Sequence, residues 1–277
     1  MNNQIIATTD SYKFLPLERA LQGLSGVGLK AIELLCASEW EPHFDPSTAT
    51  HAERSQLERL LNNYDLQIVS VSGHSNLASK EGFSKFQDRL RFADSMDIDI
   101  INTGVGDCSS EPKRQLLYRN LSEIALNAEK MNIVVALEPH GDWAPSGQAL
   151  YQILHEVGSD SIRINYDTAN VIFYSGIRPE DDIEKVADKV AHVHMKDKIG
   201  GKKVWNFPGL GHGDIDFVKI IDTLDRSGYK GPYSIEIELT HETERNGELI
   251  DKAFRDSLEY LKSLNRFDHV PLSSISK

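Results

Sequence analysis

Cysteine is scarce in this chain: Cys36 and Cys108 are the only two in 277 residues. Two cysteines build neither a disulfide framework nor a zinc–cysteine site, and Cys36, inside an apolar run, reads as a core residue. Positive charge is also short. Lysine and arginine number 30 against 42 acidic residues, a formal net charge of −12, and no long basic run occurs. A nucleic-acid binder normally carries a basic footprint, so the charge argues against a nucleic-acid partner. No stretch approaches the roughly 18 apolar residues of a membrane span. The opening MNNQIIATTD lacks the basic segment and apolar run of a signal peptide. These absences lead us to expect a cytoplasmic enzyme or binding protein with no membrane partner.

Hydrophobic residues make up 40% of the chain, enough for a sizeable core. Short apolar segments recur, each followed by a longer amphipathic one. The strand candidates are 3–8, 31–35, 67–72, 98–102, 132–137, 161–166, 190–195 and 232–237. The clearest helix candidates are 50–64, 84–96, 112–131, 216–228 and 247–264. Within the third, Leu117, Leu121, Ile124 and either Leu126 or Ala128 fit a buried stripe. Eight strand–helix alternations predict parallel strands with crossover helices. The expected fold is an α/β single (β/α)8 TIM barrel over residues 1–277, with 265–277 as a C-terminal tail. That tail reads as a loose end that could serve as an interface. A doubly wound open sheet is the competing architecture, but TTDSYKFLP after the first strand lacks its Gly-rich phosphate loop.

In a barrel, alternate strand residues face the interior, and active sites sit at the C-terminal strand ends. The fifth strand, IVVALEPH, brings Glu138 to its inner face at the end. The sixth, IRINYD, does the same with Asp167. The seventh, AHVHMKD, puts His192, His194 and Lys196 on one face, and the eighth, YSIEIE, puts Ser234, Glu236 and Glu238 inward. Consecutive strands thus converge Glu138, Asp167, His194 and Glu236. Buried carboxylates that converge unpaired repel, and a divalent cation removes that cost. Carboxylate oxygens with one imidazole suit Mn²⁺ or Mg²⁺, with Co²⁺ and Zn²⁺ as further options. Each residue has a plainer reading beside this one. A carboxylate at a strand end also serves as a helix cap or salt-bridge partner. His192 reads as a satisfied core histidine, and Lys196 with Asp197 could be an exposed turn pair.

The ordered set VVALEPHGD (134–142), YDTANVIFYSG (166–176), HVHMKDK (192–198), GLGHGDIDF (209–217) and GYKGPYSIEIE (228–238) resembles the xylose-isomerase-like TIM barrels. This group of sugar-phosphate isomerases and epimerases includes ketose 3-epimerases, hydroxypyruvate isomerase and inosose dehydratase. The resemblance implies that Glu138, Asp167, His194 and Glu236 are metal ligands, with Mn²⁺ the expected ion, and that Glu138 and Glu236 form the acid/base pair. It implies a homo-oligomer and a small sugar or keto-sugar substrate. Asn170 stands where ketose 3-epimerases tend to have a histidine, which weakens that assignment within the group. His212 stands where the group commonly has glutamate. His74, at the end of SVSGHS, matches a histidine that often lines the pocket. Glu33, in AIELL, is either an inner-face pocket residue or a buried partner for a barrel histidine or lysine. Trp143 and Trp205 fall in loops at the expected mouth and either stack on a sugar ring or simply pack. Trp40, in ASEWEPHFD, is a further aromatic candidate.

The implied chemistry is proton removal by a glutamate beside a carbonyl, through an enediolate held by the cation. Return of the proton to the opposite face gives an epimer, and return to the neighbouring carbon gives an isomer. Expulsion of a leaving group makes the enzyme a lyase, either a keto-inositol dehydratase or a 3-keto-glycoside eliminase. Lys196 and His140 are candidates to stabilise an oxyanion or protonate a leaving group. The expected function is sugar isomerase or epimerase, with the lyase as alternative. A DNA-repair endonuclease on the same barrel is opposed by the charge, and a non-catalytic sugar-binding barrel by the acid/base pair.

Overall fold

The apolar runs become parallel strands, and the last pairs with the first. A computed structural model describes residues 4–37 and 42–271, so Trp40 lies outside the described residues. The strands are β1 (Ile5–Thr8), β2 (Ala31–Leu35), β3 (Gln67–Ser72), β4 (Ile100–Thr103), β5 (Val134–Leu137), β6 (Ile162–Asp167), β7 (Val190–Met195) and β8 (Tyr233–Ile235). Each pairs in parallel with its sequence neighbour, and Ile5 opposite Tyr233 closes the barrel. The helices are α1 (Leu17–Gly26), α2 (His51–Tyr64), α3 (Lys80–Ser95), α4 (Glu111–Met131), α5 (Gly147–Val157), α6 (Thr168–Ser175), the short α7 (Pro179–Asp182), α8 (Phe217–Arg226) and α9 (Gly247–Ser263). The fold is therefore a (β/α)8 barrel. No helix among the described residues is long and apolar enough to cross a membrane.

Local chemistry sets the helix limits. Thr50 and Glu53 form a reciprocal capping box at the start of α2. Asp65, left-handed at φ 52°, ends it. Ser79 accepts a hydrogen bond from the Gly82 N–H, which starts α3 at Lys80, earlier than the apolar pattern alone placed it. The α4 stripe resolves to Leu117, Leu121, Ile124 and Ala128, all buried, while Leu126 is exposed. The tail is not loose over its described part. The Phe267 ring meets Tyr233 edge-on at 5.2 Å, and Arg266 Nε donates to Asp222 Oδ1 at 2.7 Å.

Two departures from regular pairing lie near the mouth. The β2–β3 register shifts at Ile32/Glu33, and the β6–β7 register shifts at Ile164/Asn165. Such irregularities re-aim side chains, and here they fall at Glu33 and Asn165, two groups that hold barrel histidines.

Asp182 ties α5, β6 and α7 together. Its Oδ2 accepts from the Gly147 N–H at 2.7 Å and the Tyr166 hydroxyl at 3.1 Å, and its Oδ1 from the Gln148 N–H at 3.2 Å. Removal leaves the buried Gly147 N–H without its acceptor and takes one of two acceptors from the Tyr166 hydroxyl. Asp182→Ala is expected to cost about 2–3 kcal/mol. The check is urea unfolding, where the midpoint falls with an unchanged slope.

Candidate metal centre

Four strands deliver four buried groups to one place. Glu138 follows β5 directly, Asp167 ends β6, His194 lies in β7, and Glu236 follows β8. The Glu138 and Glu236 backbones continue the ladder, donating to Thr103 O at 2.9 Å and Met195 O at 3.0 Å. His194 Nδ1 lies 2.9 Å from Glu236 Oε2, 3.2 Å from Glu138 Oε2 and 3.9 Å from Asp167 Oδ2. Asp167 divides its oxygens. Oδ1 caps α6 by accepting from the Ala169 and Asn170 N–H groups, and Oδ2 faces the cluster.

Three of these atoms, Asp167 Oδ2, His194 Nδ1 and Glu236 Oε2, are buried without a hydrogen-bond partner. Buried polar atoms are seldom left so, because each costs about 1–3 kcal/mol. A divalent cation among them would satisfy all three, and an oxygen-rich set with one imidazole fits it. Glu138, Asp167 and His194 form one group of mutually close ligand atoms. Glu236 falls in a second, with Asp10 and Glu238, and touches the first through His194.

Beneath the cluster, Glu33 decides which nitrogen His194 presents. Its fully buried carboxylate lies 3.0 and 3.1 Å from His194 Nε2. A carboxylate there keeps a proton on Nε2, so that Nδ1 is the nitrogen that would face a cation. Glu33 also meets His192 Nε2 at 3.1 Å, and His192 Nδ1 meets Asn165 Oδ1 at 2.8 Å. Glu33 is thus the buried partner of barrel histidines, and His192 is a satisfied core histidine. Asn165 Nδ2 then donates to Glu138 Oε2 at 2.7 Å, Asn170 Nδ2 to Glu138 Oε1 at 2.8 Å, and His74 Nε2 lies 3.3 Å from Oε2. Burial alone would raise the Glu138 carboxyl, but His74 and His194 hold it well below the usual range. Burial alone would depress the His194 imidazole, yet Glu33, Glu236 and Glu138 hold it well above, so the pocket calls for positive charge at that ring.

Lys196 and Asp197 are both buried, so they are not an exposed turn pair. Lys196 Nζ lies 3.2 Å from Glu236 Oε1 and 3.7 Å from Asp167 Oδ2, and it also pairs with Glu238. Asp197 is a clamp. Its Oδ2 accepts from the Gly211 and Gly213 N–H groups at 2.9 and 2.8 Å, and a Cβ on Gly213 would sit 2.2 Å from its Oδ1. The GLGHGD stretch therefore folds around a buried carboxylate. His212 between those glycines is exposed, 3.8 Å from Asp256 of α9, and does not line the cavity.

Above the cluster opens a cavity of about 270 Å³, just below the roughly 300–1,000 Å³ typical of drug-sized ligand sites. It suits one small polar molecule. His74, His140, Asn170, Lys196 and Trp205 all line it. The Tyr174 hydroxyl meets His140 Nε2 at 2.9 Å. Burial, reinforced by neighbouring His74, pushes the His140 imidazole down to about 4. Trp205 stacks on His241 at 4.7 Å. Trp143 does not line the cavity, because its ring is covered by the Arg114 guanidinium at 4.5 Å. The sequence reading also passed over Asp10 and Lys13, which enter from the turn after β1. Applying the strand-end rule to β1 would have pointed to Asp10, two residues past Thr8.

Glu33→Gln is expected to weaken Mn²⁺ binding by about 10- to 100-fold by removing the charge that orients His194. Trp143→Ala is expected to leave it unchanged. Calorimetric titration of chelator-stripped protein measures both.

With this geometry in hand, likenesses to known proteins can be placed. An uncharacterized protein of Methanocaldococcus jannaschii is 23% identical over 92% of this chain and 89% of its own length. An inosose dehydratase of Geobacillus thermodenitrificans is 26% identical over 47% of this chain, and the match spans only 48% of that enzyme. The fold is shared with a D-tagatose 3-epimerase-like protein (TM-score 0.74, 21% identity, 95% of this chain and 98% of that one). It is shared too with a Mycobacterium smegmatis barrel protein solved in complex with magnesium (TM-score 0.71, 17% identity, 93% and 99%). The family model described as xylose isomerase-like TIM barrel matches residues 21–264, and the chain belongs to that family.

Proposed function

We propose that this chain is a divalent-metal-dependent sugar isomerase or epimerase that moves a proton at a carbon next to a carbonyl. The observation that supports this most is the trio of buried, unpartnered atoms on Asp167, His194 and Glu236, with Glu138 beside them. Those four residues would hold the ion, and the donor set favours Mn²⁺. When bound, such an ion supplies Lewis acidity that lowers the barrier to removing a proton beside a carbonyl. Glu138 and Glu236 are the proton carriers. Asn165, Asn170 and His74 fix the Glu138 carboxylate in place, and Lys196 stands at the other oxygen of Glu236. His74, His140, Asn170 and Lys196 offer polar contacts to a hydroxylated substrate, and the face of Trp205 offers apolar contact for ring C–H groups.

One observation favours dehydration as a second reading. Lys196 Nζ lies 3.2 Å from Glu236, which sets an ammonium beside a candidate base. Glu236 would take the proton next to the carbonyl while Lys196 gives one to a departing hydroxyl, which leaves as water. The likeness to the Geobacillus inosose dehydratase supports the same direction.

The test is incubation in D₂O with free ketoses, aldoses, keto-inositols and 3-keto-glycosides, with and without Mn²⁺. Metal-dependent deuterium incorporation beside a carbonyl is expected, reduced about 10²- to 10⁴-fold in Glu138→Gln or Glu236→Gln. Wild-type exchange in both variants would sink the reading. Lys196→Met separates the outcomes: exchange that continues while product formation stops identifies dehydration, and both continuing identifies isomerisation or epimerisation.

A further inference from the structure

We propose that Glu238, by holding both Lys13 and Lys196, makes this cavity selective for uncharged polyhydroxylated substrates and closes it to phosphorylated or carboxylated ones. The inference deepens the reading of the cavity as a substrate site and rests on it. Both lysines line the cavity, and both are engaged by carboxylates. Lys13 Nζ pairs with one oxygen of Glu238, with Asp10 Oδ2 at 3.8 Å. Lys196 Nζ pairs with the other oxygen of Glu238, with Glu236 Oε1 at 3.2 Å and Asp167 Oδ2 at 3.7 Å. Glu238 thus bridges the two ammonium groups. No arginine lines the cavity among the described residues.

The charge around the cavity agrees. Asp10, Glu138, Glu236, Glu238 and Glu244 line it, with Asp167 and Glu33 beneath. Against them stand the ammonium groups of Lys13 and Lys196, both already held by carboxylates, and the imidazoles of His74 and His194. A phosphate dianion would have to displace Glu238 from both lysines while facing Asp10 and Glu236, and like-charge juxtaposition of that kind costs several kcal/mol. A neutral polyol meets no such barrier. Each hydroxyl donates to a carboxylate and accepts from an ammonium, so the alternation Asp10–Lys13–Glu238–Lys196–Glu236 offers paired partners to vicinal hydroxyls. Trp205 and Phe207 pack over the lysines, with Lys13 Nζ 5.7 Å from the first ring and Lys196 Nζ 4.7 Å from the second. These rings limit the freedom of either lysine to turn toward an anion.

Equilibrium dialysis of inorganic phosphate against the metal-loaded protein at low ionic strength tests this directly. Wild type is expected to show no saturable uptake, whereas Glu238→Gln removes the carboxylate shared by the two ammonium groups and gains affinity by about tenfold or more. Glu238→Asp keeps the charge and is expected to behave as wild type. Saturable uptake by wild type overturns the proposal, as does its absence in Glu238→Gln shown to be folded by circular dichroism. A measurement on wild type alone covers the case in which that variant does not fold: competition between D-fructose and D-fructose 6-phosphate. The free sugar is expected to bind about tenfold tighter or more, and equal or tighter binding of the phosphate overturns the proposal. These results are separable from the proton-transfer reading, which fails if metal-dependent deuterium exchange is absent whatever the phosphate measurements give.

Discussion

Six carboxylates gathered at the mouth of one barrel set the terms for everything around them. A charge moved out of water into a protein interior costs several kcal/mol unless a partner compensates it. Asp10, Glu33, Glu138, Asp167, Glu236 and Glu238 are all buried. The compensation comes in three forms. Ammonium groups from Lys13 and Lys196 serve the outer acids. Imidazoles and amides from His74, Asn165 and Asn170 serve Glu138. The paired histidines serve Glu33. What none of them reaches is the point between His194 Nδ1, Asp167 Oδ2 and Glu236 Oε2. On the proposed reading, a divalent cation would sit at that point of unmet polarity.

The scaffold earns its precision from backbone devices placed at the same end of the barrel. Register shifts at Glu33 and Asn165 turn two strands so that both side chains reach His192. Asp167 spends one oxygen on the start of α6 and keeps the other for the cluster. Asp197 gathers the N–H groups of the loop after β7, so that Trp205 and Phe207 are carried on a segment anchored at its base. The two aspartates bind backbone N–H groups, and such bonds hold direction better than apolar packing does. A cation site needs that, since ligand atoms misplaced by about an ångström lose the coordination geometry.

Much of this was legible in the sequence because both signals involved are local. Strand parity put Glu138, Asp167, His194 and Glu236 on the inner face, and the strand-end rule put them at the mouth. The apolar stripe of α4 was legible for the same reason, since Ala128 follows Leu121 by seven residues and Ile124 by four, whereas Leu126 falls on the opposite face. Parity also presented Asn165 but assigned it no task, since its role comes from a register shift that no periodicity records. Which of its two readings Trp143 takes was not legible, because a loop tryptophan has no parity and the Arg114 over its ring comes from α4. Lys13 was missed for a related reason. Its partner, Glu238, is on the far side of the chain's closure, where β8 returns to β1.

That closure bears on the choice among reactions. The four central groups serve proton transfer of several kinds, so the outcome depends on what flanks the two glutamates, and the flanks differ. Glu138 is held by two neutral amides and an imidazole, partners that fix its direction. Glu236 is held on one oxygen by an ammonium that also answers to Glu238. Interconversion of two epimers asks each glutamate to act as acid in one direction and base in the other, a task best suited to matched surroundings. Elimination asks for a base on one side and a cationic proton donor nearby. On the reading advanced above, the asymmetry between Glu138 and Glu236 is the structural variable that chooses between them. It is set by residues that follow β1, β7 and β8, outside the proposed ligand set itself.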